Sequence, residues 1–353
     1  MKLTPTLALL CIAGVLAHPE RHDDHEEAKR EEAKPKMVSR STNKCAKAIE
    51  ARKAEVLAKR TERLYQRRIA DGSIKPADVH KRNELKYTTI QNDTCVLAPE
   101  TVWGPYGVDG EIMRHDLRES QEGIDIYMDI GVIDVDTCEP LSGAALTIWN
   151  CNASGYYSGF TGVDPNTVEL LDGWTKREDG TTDDETFLRG IQVSDENGMV
   201  EFLTTFPGYY ASRTTHVHIT VQSDIRNGTS YNASKVQHLG QVFFEEDLIN
   251  SVYALEPYAA HLKTLDRVTN ANDTLFNTAS TGGYGAVVSV EQIGANLTDG
   301  LIGYVTIGVN RTAEAALTTG GSVNPVGFLP TVSVASSKLA EATAADILAG
   351  YTS

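Results

Sequence analysis

The chain has 353 residues, with 32 Lys+Arg against 48 Asp+Glu, a formal net charge of -16 and 41% hydrophobic residues. This length holds one large domain with extensions, or two domains, and the apolar content is enough for a core. The acidic balance argues against a general nucleic-acid binder, because phosphate contacts need cationic surface; it leaves small-molecule substrates open.

Residues 1–17 read as a secretory signal: Lys2 starts it, Leu7 to Val15 form an apolar run, and Ala17 closes a small-residue cleavage site. The run is far short of the ~20 apolar residues a membrane span needs, and no later stretch is longer, so the expectation is a secreted, extracellular protein without a membrane partner. Residues 18–43 are charged, lack apolar periodicity and read as a disordered pro-segment, in which Lys29-Arg30 is a candidate dibasic processing site. From 44 to 70 helix formers dominate, and Ile49, Val56, Leu57 and Leu64 make a narrow apolar stripe. The segment is strongly basic through Lys86. Residues 44–94 therefore read as a helical arm and linker, which either lies on the acidic body or pairs two chains in a homodimer.

Between 95 and 312 the texture changes to short strands and turns. Ile124 to Ile130 alternates apolar and polar residues, as a half-buried strand does. Leu146–Trp149, Met199–Leu203 and His216–Val221 follow as strands, with a turn at Asp195–Gly198. This rhythm predicts a mainly β protein, a β-sandwich or barrel, with no phosphate-binding glycine loop. Residues 313–353, rich in Ala, Thr, Ser and Gly, read as a loosely ordered tail.

Once Cys11 leaves with the signal, Cys45, Cys95, Cys138 and Cys151 remain. An even number in an oxidising compartment predicts two disulfides. Three connectivities are open; neighbouring strands favour Cys138–Cys151, leaving Cys45–Cys95 to pin the arm. Sequons start at Asn92, Asn152, Asn227, Asn232, Asn272, Asn296 and Asn310, which fits a glycoprotein.

His216 and His218 carry the first chemical signal. Residues i and i+2 of a strand face one side, so both imidazoles can reach one metal; zinc, copper and iron are all open on this pair alone. Upstream lie two glycine-containing turns that end in tyrosine, Gly155-Tyr156-Tyr157 and Pro207-Gly208-Tyr209-Tyr210. With the opening motif Leu97 to Tyr106, these features resemble the catalytic domain of the intradiol ring-cleavage dioxygenases, particularly secreted fungal-type members, over about Leu97–Leu248.

The resemblance implies an intradiol-dioxygenase-like β-sandwich with an N-terminal helical extension. It implies one Fe(3+) per chain held by Tyr157, Tyr210, His216 and His218, the family spacing selecting the second tyrosine of each doublet. It also implies Arg213 and Gln241 as groups acting on the substrate, Tyr210 as a ligand that gives way to it, and a catechol-type diol and O2 as reactants yielding a muconate-type product. Two tyrosinates and a hydroxide would neutralise a trivalent iron, and two imidazoles complete the set. Asn150 departs from the family, which commonly has His after this tryptophan. The competing expectations are another secreted metalloenzyme using only the His-x-His pair, and a non-catalytic β-sandwich binding module. The particular catechol is left open.

Overall fold

A computed structural model describes residues 45, 62, 66, 101–167, 175–223, 225, 231–280, 285–313 and 329–351. The expectations for 1–43 lie outside these residues, as does most of the 44–94 arm. Cys45, Glu62 and Gln66 of that arm are helical.

Eight strands follow in chain order: β1 (Asp125–Asp134), β2 (Ala145–Trp149), β3 (Arg189–Val193), β4 (Met199–Thr205), β5 (His216–Gln222), β6 (His238–Phe243), β7 (Ser289–Gln292) and β8 (Leu301–Val309). Four α-helices accompany the strands: α1 (Glu246–Tyr253), α2 (Tyr258–His261), α3 (Thr274–Ala279) and α4 (Ser336–Leu348). The strands form two sheets, ordered β4-β1-β8-β7 and β3-β2-β5-β6. The first is mixed, because β1 runs parallel to β8; the second is antiparallel throughout.

Side chains alternate across a strand, and the two sheets use that alternation to share one core. Ile126, Met128, Ile130 and Val132 of β1 meet Leu146 and Ile148 of β2 and Val217, Ile219 and Val221 of β5 in a single buried cluster. The mainly β sandwich expected from the sequence is the fold observed. β1 differs from the half-buried strand expected: Tyr127, on its other face, is also covered, packing with Leu203, Ile302 and Tyr351.

That cover comes from the C-terminal segment, which differs from the loose tail expected. Residues 329–351 are tied down by a few widely spaced groups. Val332 N–H donates to the Asp109 carbonyl at 2.9 Å, and Asp109 N–H donates to the Pro330 carbonyl at 2.8 Å. Asp346 on α4 accepts from the backbone N–H groups of His115 and Asp116 at 3.0 and 2.7 Å. Lys338 pairs with Glu119 at 3.0 Å, and Tyr351 stacks on His115 with centroids 4.3 Å apart. An Ala/Thr/Ser-rich composition hides such anchors, since each acts across the fold rather than along the chain.

The disulfide expectation is corrected. Cys138 pairs with Cys45 across 93 residues of sequence, and Cys151 is a buried free thiol. Cys138 follows β1 in one sheet, whereas Cys151 follows β2 in the other, so strands adjacent in sequence hold the two cysteines in different layers. Cys95 lies outside the described residues. Closing so long a loop constrains the unfolded chain strongly, and Cys45→Ala is expected to cost about 2–5 kcal/mol. Urea unfolding of variant and wild type checks this, with an equal loss expected on reducing the wild type.

Candidate iron and substrate site

The odd residues of β5 enter the core, so the even ones, His216, His218 and Thr220, face outward from the second sheet. Register then builds a row of side chains on that outer face. Arg189 of β3 stands opposite Trp149 of β2, Trp149 opposite His218, and His218 opposite Gln241 of β6. His216 stands opposite Phe243 in the next row. Trp149 stacks on the His218 imidazole at 4.6 Å with an interplanar angle of 7°, which fixes that ring.

The two imidazoles converge, with their Nε2 atoms 3.2 Å apart. His216 Nδ1 lies 2.6 Å from the Thr214 carbonyl. A carbonyl oxygen only accepts, so Nδ1 carries the proton and Nε2 presents a lone pair toward His218.

The two glycine turns close over this pair. Asn152 shapes the first: its Oδ1 accepts from the N–H groups of Ser154 and Tyr156 at 3.1 and 3.0 Å, and its Nδ2 donates to Gln121 at 3.0 Å. The atom that a glycan at this sequon would occupy is thus already engaged within the protein. The second turn docks on the first, Gly208 N–H donating to the Asn152 carbonyl at 3.2 Å. Each tyrosine doublet splits. Tyr209 stacks on His261 at 4.5 Å and its hydroxyl donates to the Leu265 carbonyl, away from the histidines. Tyr156 is half-buried. Tyr157 and Tyr210 are buried with ring centroids 5.8 Å apart; Tyr157 Oη lies 3.4 Å from His216 Nε2, and the Tyr210 and His216 rings are 5.7 Å apart.

Apolar and aromatic groups seal the cluster. Tyr106 stacks on Tyr157 at 4.5 Å and meets Tyr210 edge-on at 5.8 Å, with Phe160 against it. Arg189 clamps this wall: Nε and Nη2 bind the Ser158 hydroxyl and carbonyl at 2.8 and 2.6 Å, and its fork also reaches the Tyr106 carbonyl at 3.1 Å. Burial raises the pKa of Tyr157 well above the usual phenol value, and the neighbouring Cys151 and Tyr210 add to the rise. Burial raises Tyr210 too, although the Arg213 guanidinium, hydrogen-bonded to it, pulls the other way. The Cys151 thiol is pushed up to about 12, again by burial.

Arg213 and Gln241 stand beside the phenols, Arg213 Nη2 donating to Gln241 Oε1 at 2.5 Å. All six residues singled out from the sequence, Tyr157, Tyr210, Arg213, His216, His218 and Gln241, therefore meet in one buried cluster.

These residues fit a cation. Two imidazole Nε2 atoms facing each other at 3.2 Å and two buried phenols have little reason to converge on one another, whereas imidazole nitrogens sharing a metal at about 2.1 Å each stand close together. Buried phenols ionise when a strong local charge compensates them, and the all-O/N set of two phenolates and two imidazoles suits a hard trivalent ion. Among the described residues there is no group of three or more His, Cys, Asp and Glu able to hold a metal. Of those four types the donors here include only histidine, twice, so the site differs from carboxylate- or cysteine-rich centres.

No family model and no curated protein matches the sequence. Solved structures do. An intradiol ring-cleavage dioxygenase from Tetranychus urticae is 31% identical, with a TM-score of 0.52, and the match covers 63% of this chain and 98% of that one. The chain belongs to the intradiol ring-cleavage dioxygenases. A second solved dioxygenase is 30% identical with a TM-score of 0.50, covering 62% of this chain and 97% of that one. Membership makes this a ring-cleaving oxidoreductase of the dioxygenase class.

In this dioxygenase three features were not legible from the motifs. Arg189 and the backbone clamp it forms stand in a strand that carries no catalytic signature. Cys151, expected in a disulfide, lies instead against Tyr157. Asp273 reaches the site from a helix 60 residues after Arg213. The N-cap pattern of Asp273 before α3 is readable, but its partner is not.

Proposed function

We propose that this chain is an extracellular Fe(III)-dependent intradiol dioxygenase, which cleaves catechol-type rings between the two hydroxyl-bearing carbons and places both atoms of O2 in a muconate-type product. The convergence of Tyr157, Tyr210, His216 and His218 within one buried cluster carries this reading. The leader-like residues 1–17 and the Cys45–Cys138 disulfide support export. No described helix is long and apolar enough to cross a membrane.

Tyr157, His216 and His218 would hold the iron throughout, and Tyr210 would complete the resting set. Bound Fe(III) would chelate the diol and draw electron density from its ring, making a ring carbon reactive toward O2. Tyr210 suits the part of a ligand that leaves, because Arg213 already hydrogen-bonds its oxygen; on release that oxygen can take up a proton from the incoming diol. Arg213 is a pre-placed cation in a water-poor site, suited to stabilising negative charge that develops on the substrate. Gln241, fixed by Arg213, orients the substrate's oxygens. Tyr106, Phe160 and Trp149 keep water out.

The test is to purify the mature protein, measure iron, and record the visible spectrum before and after anaerobic addition of catechol. About one iron per chain and a tyrosinate-to-iron band that shifts on adding catechol are expected, with muconate formed once air is admitted. A protein that stays colourless and iron-free after reconstitution overturns the reading.

A further inference from the structure

Asp273 pairs with the substrate-side arginine, and its position is over-determined. Its side chain is fully buried, as is that of Arg213. Its Oδ2 accepts from Arg213 Nε at 2.7 Å and from the Thr214 N–H at 2.9 Å, while Oδ1 accepts the Phe276 N–H at 2.8 Å and so caps α3. Its neighbour Asn270 accepts from the Thr214 hydroxyl at 2.8 Å and donates to the Phe244 carbonyl at 2.8 Å. Segment 270–273 therefore grips residues 213 and 214 from side chain and backbone alike. Thr214 in turn orients His216 through its carbonyl.

The geometry points to Asp273 as the positioning residue of Arg213: it anchors Nε so that the guanidinium fork faces Tyr210 and Gln241, and it balances the cation so that the pair is neutral. This role rests on the proposed Fe(III) reading. Arg213 and the N–H groups of Thr214 and Phe276 outweigh the burial of the Asp273 carboxylate and hold it below its usual range.

Neutrality has a kinetic meaning. An unbalanced arginine would attract the diol's oxygens from the moment of binding, and stabilising the bound substrate as well as the transition state does not raise kcat. An arginine balanced and aimed by Asp273 acts instead on charge that develops during the reaction. Without the carboxylate the fork would settle on the bound diol and stabilise it more than the transition state, which lowers KM and kcat together.

Asp273→Asn is close in shape, remains a good helix cap and leaves the Asn272 sequon readable as Asn-Asn-Thr. The variant is expected to keep its iron and its resting visible band, while kcat per bound iron falls at least tenfold and KM for catechol falls as well. In an Arg213→Gln background the same change is expected to alter kcat less than twofold, because the group it positions is gone. That double variant also removes both charges of a buried pair, which keeps the comparison available should the single variant fold poorly. Values of kcat per iron and KM within twofold of wild type in the folded single variant would overturn the role, as would an equal loss of kcat in both backgrounds. Wild-type protein that binds no iron or cleaves no catechol would instead sink the functional reading on which the role rests.

Discussion

Purified Tyr157→Phe protein is expected to hold little iron and to lose ring cleavage by more than the roughly 10–100-fold that removing an outer-shell partner costs a metal site. The ring is buried and stacks on Tyr106, and phenylalanine preserves both contacts, so the fold should survive. What is removed is one oxygen, 3.4 Å from His216 Nε2. Tyr210→Phe should behave differently. If Tyr210 leaves as the diol enters, its loss weakens iron binding less and removes a proton acceptor, lowering kcat by about 10²–10⁴-fold. Iron content per folded chain and the catechol-induced spectral shift separate the two variants. Full iron and turnover in Tyr157→Phe would remove Tyr157 from the ligand set.

This contrast between two tyrosines rests on features that were readable in the sequence, and the reason is local periodicity. A His-x-His pair in an apolar alternating segment can only put both imidazoles on the face opposite Val217 and Ile219. A glycine before each tyrosine doublet marks a turn. Strands β2, β4 and β5 were legible for the same reason. What stayed hidden acts across the chain. Asp273 meets Arg213 over 60 residues, Arg189 meets Tyr106 over 83, and Asp346 meets His115 over 231. No local pattern encodes such pairings, and the Cys138–Cys151 expectation failed on the same ground: nearness in sequence does not place two strands in one sheet.

The largest structural loss is expected from Gly155→Ala and Gly208→Ala. The two tyrosine-bearing turns are packed backbone to backbone at their glycines. A Cβ on Gly155 would lie 2.3 Å from the Tyr209 carbonyl oxygen, and one on Gly208 would lie 2.4 Å from the Asn152 oxygen and 2.6 Å from that of Ala153. Backbone on both sides cannot yield as a flexible side chain would. Gly155 also has φ +87°, a left-handed conformation that costs an L-residue about 1–2 kcal/mol before any clash. Each substitution should therefore destabilise by more than about 3 kcal/mol, in the upper range for single changes, and pry Tyr157 away from Tyr210. Gly159→Ala is the control: its φ is +76°, but the nearest atoms to an added Cβ stand at 3.8–3.9 Å. It should lose only the conformational cost of about 1–2 kcal/mol and keep its iron. Urea unfolding and iron content, measured together on the three variants, decide the matter. If Gly155→Ala and Gly208→Ala matched Gly159→Ala in both, the two turns would not be what holds the phenols together.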